Sequence, residues 1–349
     1  MVTDDLERVD VNTLGGSDFV DAASLKGTDV TTLHIDQLAA LGATGGDGVV
    51  DHVNVAGTPQ DDAIVVSGAA GAASISGTIP TVDIVDAEPF NTLTVLSGNG
   101  CDTVDASTLA ASTVFLGILS GSQRDVVEGS AGTDSILSGE GNDVVDGNQG
   151  NDSAALDTGN DEFIWDPGDG SDIVDGESGD DVMTFNGSAA AEVFAATPIG
   201  DRLAFTRNVG NIFMDTVNLE RVDLRAHGGT DQLTVDDLTG TDVVELDVDL
   251  AGVLGGTGGD GQVDAVTVTG TLSDDAITVA GSNGAVDMTG LPADVPLTNV
   301  GPTDQLTIDG GDGADTVDDS ALAPGTIALT VKLTALAGRA SLRGARPGT

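Results

Sequence analysis

Short runs in which apolar and polar residues alternate recur along the whole chain. Examples are DVTTLHI at 29–35 and VVDHVNV at 49–55. Alternation of this kind predicts β-strands that bury one face. Between the runs stand Gly- and Asp-rich stretches, such as GGSD at 15–18 and TGGDG at 44–48, which are typical of tight turns. The pattern therefore predicts an all-β chain of short strands joined by turns.

The pattern is most regular from Gly129 to Thr184, which divides into six units of nine residues with a two-residue step, Trp165–Asp166, after the fourth. Position eight of each unit is apolar, position four is Gly and position six is Asp. The glycines are Gly132, Gly141, Gly150, Gly159, Gly170 and Gly179. The aspartates are Asp134, Asp143, Asp152, Asp161, Asp172 and Asp181. The unit before them, SGSQRDVVE from Ser120, keeps Asp125 but has Gln123 at the glycine position.

The spacing predicts a metal site. Glycine permits the positive φ of a tight turn that exposes carbonyl oxygens, and the aspartate that ends the turn adds a carboxylate beside them. Such an all-oxygen cage suits calcium better than magnesium, which demands a near-ideal octahedron. Residues 129–184 hold 15 acidic and no basic side chains, so stacked turns need a counter-ion. For a single unit the alternative is open that Asp caps its own turn without metal.

These units resemble the RTX (hemolysin-type) calcium-binding nonapeptide GGxGxDxUx. The resemblance implies a right-handed parallel β-solenoid, a β-roll in which two nonapeptides form one coil and calcium lies between stacked turns. It implies that aspartates two units apart share an ion, and that the glycines and aspartates named above line the sites. The implied pairs are Asp134 with Asp152, Asp143 with Asp161, Asp152 with Asp172, and Asp161 with Asp181. The sequence departs from the pattern at position two, where most units lack glycine, and at the step Trp165–Asp166.

Two further aspartates are candidate calcium ligands. Asp102 lies in SGNGCDTVD and Asp315 in GGDGADTVD, the unit nearest to the consensus. Each lacks a neighbouring nonapeptide that would complete its cage.

A long internal duplication organises the chain, because residues 6–110 match residues 219–323 at a constant offset of 213. The sequence predicts four segments in chain order. They are a β-helix block at 1–110, a second block at 111–218, a second copy of the first block at 219–323, and a tail at 324–349. The second block contains the β-roll at 120–184 and a strand pair at 187–218, for which we expect Arg202 and Arg207 to point outward.

The tail is atypical. It begins as the second block does, but its turn pattern then fails, and it holds four of the 11 basic residues: Lys332, Arg339, Arg343 and Arg346. We hypothesise that the chain is a fragment of a longer array whose tail was altered by truncation or a shifted reading frame.

Composition narrows the function. The chain of 349 residues has 58 acidic and 11 basic residues and a formal charge of −47, which disfavours nucleic acid and anionic membranes as partners. No stretch is apolar enough for membrane insertion, and the N-terminus shows no Sec-type signal. Cys101 stands alone, the three histidines are scattered, and HExxH, GxSxG and GxxxxGK are absent. We therefore expect a protein that is not an enzyme.

The leading prediction is a calcium-binding module of a secreted or surface-exposed bacterial protein that folds when calcium arrives. Export by a type I system is what the resemblance implies. One alternative is a structural or adhesive stalk that calcium only stiffens, with a cell-surface or glycan partner. The other is a β-helix enzyme acting on polysaccharides, which the shortage of Lys and Arg disfavours.

Overall fold

The computed structural model describes residues 6–333 and 341–343. It is essentially all-β, with 48% of residues in strands and 1% helical. The chain forms two compact units, Met1–Ile164 with Gly168–Gly179, and Trp165–Pro167 with the segment from Asp180 onward. Both are built from long sheets of parallel strands, which confirms the predicted parallel β-solenoid of the β-roll type.

The first unit contains sixteen strands among its described residues. They are β1 (Arg8–Asn12), β2 (Phe19–Ala22), β3 (Thr32–Asp36), β4 (His52–Ala56), β5 (Ala63–Ala69), β6 (Ala72–Ser76), β7 (Thr81–Val85), β8 (Thr92–Asn99), β9 (Thr103–Leu109), β10 (Phe115–Ser122), β11 (Val126–Glu128), β12 (Asp134–Leu137), β13 (Val144–Asp146), β14 (Ser153–Ala155), β15 (Glu162–Trp165) and β16 (Ile173–Asp175).

The second unit continues the series after the last residue of β15, Trp165. Its strands are β17 (Val182–Asn186), β18 (Val193–Ile199), β19 (Arg202–Arg207), β20 (Ile212–Val217), β21 (Arg221–Arg225), β22 (Gln232–Val235), β23 (Glu245–Asp249), β24 (Ala265–Thr269), β25 (Ala276–Ser282), β26 (Ala285–Thr289), β27 (Leu297–Thr298), β28 (Gln305–Asp309), β29 (Thr316–Leu322), β30 (Ala328–Lys332) and β31 (Ser341–Arg343), with a 3-10 turn at Val209–Asn211.

In the first unit the strands stack on two faces. One face runs β2, β4, β8, β10, β12, β14, β16, and every neighbouring pair is parallel. The other runs β1, β3, β7, β6, β5, β9, β11, β13, β15, where only β6 is antiparallel to its neighbours. Since successive coils are in register, like positions lie above one another at the usual strand spacing.

The core is the thin layer between the two faces. Leu93 and Val95 on β8 lie beside Leu116 and Ile118 on β10, and all four are fully buried. The alternation seen in the sequence therefore has the predicted cause, with one side chain in two pointing inward.

The second unit repeats the first where the sequence repeats. Strands β23, β27, β26, β25 and β29 pair in the same order and with the same antiparallel middle strand as β3, β7, β6, β5 and β9. Beyond the second copy, β30 pairs with β28 as β10 pairs with β8, and the backbone of β31 pairs with β29 as β11 pairs with β9. The coil order thus continues into the tail, although the Gly and Asp pattern does not.

Among the described residues, no helix has both the length and the apolar character needed to cross a membrane.

The strand pair predicted in 187–218 is an antiparallel set of three strands, β18, β19 and β20. The expectation that both its arginines point outward is wrong for Arg207, which is 5% exposed and forms an ion pair with the fully buried Glu192. Arg202 is partly exposed and pairs with Asp215 on the neighbouring strand. The strand alternation puts Arg207 on the inner face, where a buried carboxylate compensates its charge.

The step at Trp165 begins an aromatic cluster in the second unit. The ring of Trp165 stacks on Phe185 with centroids 4.1 Å apart, and Phe205 lies 4.9 Å from Phe185. The guanidinium of Arg207 lies 5.2 Å from the centre of the Trp165 ring, a cation–π distance. The two extra residues, which interrupt the nonapeptide register, therefore supply the largest buried side chain of the described core.

We expect Trp165→Ala to destabilise the second unit by about 3–5 kcal/mol, because it removes a fully buried ring and leaves a cavity. Thermal and urea denaturation would measure the loss. Phe213→Ala is the control, since that ring is 43% exposed and its removal should cost about 0.5 kcal/mol. Equal losses for the two variants would contradict the role of the cluster.

Candidate metal centre

Aspartates that stand just before or at the start of a strand form hydrogen-bonded columns in the first unit. The backbone N–H of Asp134 donates to Oδ1 of Asp152 at 2.8 Å, and the N–H of Asp152 donates to Oδ1 of Asp172 at 2.8 Å. We call this column the short ladder. All three aspartates are at most 2% exposed.

A second column, which we call the long ladder, stands before strands of the other face. It consists of Asp62, Asp102, Asp125, Asp143 and Asp161. Each N–H donates to Oδ1 of the next aspartate, at distances of 2.7, 2.7, 2.8 and 2.7 Å in chain order. We call the aspartates of a ladder its rungs. They stack because the strands that begin directly after them, β9, β11, β13 and β15, pair in parallel and in register.

The structure brings together three of the four pairs implied by the nonapeptide pattern. The fourth joins Asp161 to Asp181 of the second unit and stays a prediction. Asp181 is itself buried, and its N–H donates to Oε2 of Glu220 at 2.7 Å. In the second unit, too, a carboxylate of the following coil accepts the backbone N–H of the aspartate.

Asp102 has aligned aspartates on both sides although the sequence shows no regular nonapeptide array around it, because coils of different length still align their aspartates. Asp102 binds Asp62 of the coil before it and Asp125 of the coil after it. Asp315 likewise accepts the N–H of Asp275 at 3.1 Å. These spacings of 40 and 23 residues conceal the ladder from a search for nonapeptides.

The first rung of each ladder is satisfied by its own turn. Ser130 donates its N–H and its hydroxyl to the two carboxylate oxygens of Asp134, at 2.5 and 2.8 Å. Thr58 does the same for Asp62. These carboxylates therefore have local partners, which is the alternative the sequence left open for a single unit.

The later rungs are not satisfied in this way. The Oδ2 atoms of Asp102, Asp125, Asp143 and Asp152 are buried and have no hydrogen-bond partner among the described residues. A buried carboxylate oxygen without a partner is costly, and each such atom calls for a proton, a water or an ion. These oxygens suit a hard cation, whose preferred ligands are carboxylate and carbonyl oxygens.

Burial also raises the pKa values of the rungs. Loss of solvent, together with the negative charges of Asp134, Asp172 and Asp169, raises the pKa of Asp152 to about 8. Loss of solvent also raises the pKa of Asp125 to about 7 and that of Asp134 to about 6. Without a cation, some aspartates of both ladders therefore keep a proton near neutral pH.

Most glycines at position four lie where successive coils touch. A Cβ on Gly150 would overlap the carbonyl oxygen of Gly132, and one on Gly170 would overlap that of Gly150. Such an atom on Gly150 would also lie 2.7 Å from Oδ1 of Asp152. The glycines thus leave room for the backbone and the carboxylate.

The positive φ expected at glycine falls mainly on position two, which explains the departure from the consensus. Asn148, Asp157 and Glu177 adopt φ values of 58°, 69° and 60°, and Gly139 has 93°. Asn and Asp tolerate this conformation better than other residues with a side chain, so a turn of this kind does not require glycine at position two.

Sequence reasoning missed most of the equivalent acids in the second unit. Buried carboxylates that accept the N–H of the preceding rung occur at Asp231, Asp264 and Asp304. The sequence pattern that could have identified Asp231 is GGTD at 228–231, the copy of GGSD at 15–18. Within the described part of the chain, no group of three or more His, Cys, Asp or Glu side chains is arranged to hold a metal by itself.

Comparison with known families agrees with the geometry of the first unit. Residues 120–154 and 168–187 match the RTX calcium-binding nonapeptide repeat in four copies. This segment therefore consists of RTX calcium-binding repeats. No curated protein matches the chain.

We expect Gly141→Ala to destabilise the protein by about 1–3 kcal/mol, because the new methyl group would overlap the backbone carbonyl oxygen of Gln123 in the neighbouring coil. Gly132→Ala is a matched control at the same repeat position, since its Cβ would have no neighbour closer than 3.6 Å. Urea denaturation in chelator would compare them. Similar midpoints for the two variants would show that coil contact does not set the glycine requirement.

We expect the calcium-free protein to lose stability as the pH rises. Unfolded aspartates titrate near 3.8, whereas folded Asp152 titrates near 8 and Asp125 near 7. Because the folded state binds more protons, this contribution is complete below about pH 4 and disappears by about pH 8. The urea midpoint in chelator should therefore be lower at pH 8 than at pH 5.

Asp152→Asn should reduce this pH dependence, since the amide keeps the shape of the side chain but does not titrate. A midpoint that rises from pH 5 to pH 8 in the unmodified protein would contradict the raised pKa values.

Proposed function

We propose that the repeats of the first unit bind calcium between successive rungs, and that this binding completes the fold of an exported protein. The observation that carries the proposal is the set of buried, unpartnered Oδ2 atoms on consecutive rungs. Two rungs supply carboxylates to each ion, and carbonyl oxygens of the glycine-containing turns supply the remaining ligands.

The aspartates that would hold calcium differ in how strongly each is expected to bind it. Asp125, Asp143 and Asp152 combine full burial with an oxygen that needs a partner. Asp161 and Asp172 complete pairs with them. Asp134, whose two oxygens accept hydrogen bonds from Ser130, would bind calcium more weakly than the other rungs.

Charge supports a folding role for the ion. The segment 129–184 has 15 acidic and no basic residues, so protons or cations must neutralise its stacked carboxylates. Calcium that binds only the folded form stabilises it by about 2.7 kcal/mol at one hundred times the dissociation constant. Low calcium inside a cell would leave the repeats loosely folded, and higher calcium outside would order them.

The same argument supports export as part of the proposal. A chain that stays loosely folded until it meets calcium can pass a narrow secretion channel, and type I secretion is typical of proteins with RTX repeats. We therefore place the mature protein outside the cell or on its surface.

The test is a calcium titration of chelator-treated protein, followed by far-UV circular dichroism with magnesium as the control ion. We expect a gain of β-structure that only calcium produces. Asp143→Asn should shift the midpoint to at least tenfold higher calcium, because it removes a rung carboxylate from the interior of the long ladder. Glu128→Gln, also within the matched residues 120–154, is the control, since it removes the same charge from an exposed position.

A β-spectrum that is complete in chelator and indifferent to calcium would overturn calcium-dependent folding. The structural or adhesive stalk would then be the better reading.

A further inference from the structure

A row of polar side chains crosses one sheet of the first unit, outside the residues that match the RTX repeat. Asp10 on β1 lies beside His34 on β3, and His34 lies beside Asp83 on β7. Ser74 on β6 and Ser67 on β5 continue the row. Since His34 and Asp83 alternate with buried apolar residues along their strands, the row lies on the outer face of the sheet.

The surface beside this row is concave. The hairpin of β5 and β6 carries small residues there, among them Gly68, Ala69 and Ala72, whereas Arg8 and His34 on the neighbouring strands have long side chains. The groove measures about 410 Å³, which lies within the range of small-ligand sites. We call it the outer groove, and its polar lining consists of Arg8, His34, Ser67, Ser74 and Asp83.

The polar groups of the outer groove keep hydrogen-bonding capacity for a ligand. The hydroxyl of Ser74 donates to Oδ1 of Asp83 at 2.7 Å, and this is the one hydrogen bond that the carboxylate accepts from a described residue. The imidazole of His34 makes no hydrogen bond within the described part of the chain. Arg8 holds Asp10 through two of its nitrogens and has further N–H groups to donate.

Charge in and beside the outer groove is mixed, unlike that of the chain as a whole. Arg8 and His34 stand among the carboxylates of Asp10 and Asp83, whereas the chain has 58 acidic and 11 basic residues. A formal charge of −47 repels polyanions, and the groove offers no excess of positive charge to overcome that repulsion. The expected ligand is therefore uncharged and uses both donors and acceptors.

The backbone around the outer groove is fully engaged. Strands β3, β7, β6 and β5 each pair with a neighbour on both sides, so no sheet edge is open there to a peptide that would add a strand. Recognition therefore depends on side chains. Sugar hydroxyls both donate and accept hydrogen bonds, and the C–H face of a sugar ring suits the small apolar surface of Ala69 and Ala72.

We propose that the outer groove binds a neutral carbohydrate chain, with His34, Asp83 and Ser74 as the recognising side chains. Asp83 would accept hydrogen bonds from sugar hydroxyls, and His34 and Arg8 would donate to them. The site goes beyond the calcium binding proposed for the repeats. It lies outside residues 120–187 and contains no residue of either ladder, so it stands or falls independently of them.

The second copy of the duplicated block keeps the sheet but not the polar row. Its replacements, at the offset of 213, are Asp247 for His34, Pro296 for Asp83 and Asp287 for Ser74. Its strands nonetheless pair in the same order. The fold therefore does not need the polar row, and we expect the carbohydrate site in the first copy alone.

The test screens the calcium-saturated full chain against neutral hexasaccharides of glucose, mannose or galactose, with calorimetry on those that bind. We expect His34→Asp to weaken binding by about tenfold, as for the loss of one hydrogen-bonding partner. The second copy carries aspartate at the equivalent position, so the fold should tolerate this change. His52→Asp is the matched control, because it makes the same change at an exposed position on the other face and should leave the affinity unchanged.

Three results would overturn the site. They are the absence of binding to every hexasaccharide at millimolar concentration, equal affinities of the His34 and His52 variants, and binding restricted to sulfated or uronic-acid oligosaccharides.

A second measurement needs no variant. The chain has three histidines, His34, His52 and His227. In NMR spectra of protein with isotope-labelled histidine rings, the bound hexasaccharide should shift the signals of His34 and leave those of the other two in place. Shifts at His52 or His227 alone, or at none of the three, would place the ligand elsewhere and overturn the site.

Discussion

The hydrogen bond from a backbone N–H to the carboxylate of the next coil is the contact on which the rest of the structure depends. It fixes the start of each strand against the start of the next, so the apolar positions that follow fall into register. It also requires the carboxylate to be buried. The strands are thus aligned by a carboxylate that is costly to bury, and protons or cations must compensate its charge.

This constraint explains the composition. A solenoid whose rungs are aspartates accumulates negative charge with every coil, and these residues contribute to the formal charge of −47. Where the protein supplies its own cation, as Arg207 does for Glu192, the guanidinium also lies beside an aromatic ring, that of Trp165. For a repeated site, protons or cations taken up from the solvent can balance the charge without any further change of sequence.

Much of this could be read from the sequence, and the limits have clear causes. The strand alternation follows from local periodicity, whereas the parallel solenoid and the pairs of the short ladder were predicted from the resemblance to the RTX nonapeptide. The contact of Asp102 with Asp125 could not be predicted, because it depends on how coils of unequal length stack. The inward side chain of Arg207 depends on strand register, and the tolerance of Asn148 for positive φ depends on the turn that the backbone adopts.

The caps on the first rungs give each ladder a direction. Every amide that has a following aspartate in its ladder donates toward that coil, and the hydroxyl of Thr58 or Ser130 serves the first carboxylate. Loss of the coil after a rung would leave a buried backbone N–H without an acceptor. Loss of the coil before it would leave a carboxylate oxygen without its donor, and a hydroxyl or water can satisfy that oxygen. During evolution, insertions and deletions of coils should therefore be tolerated more readily at the beginning of a ladder than in its middle.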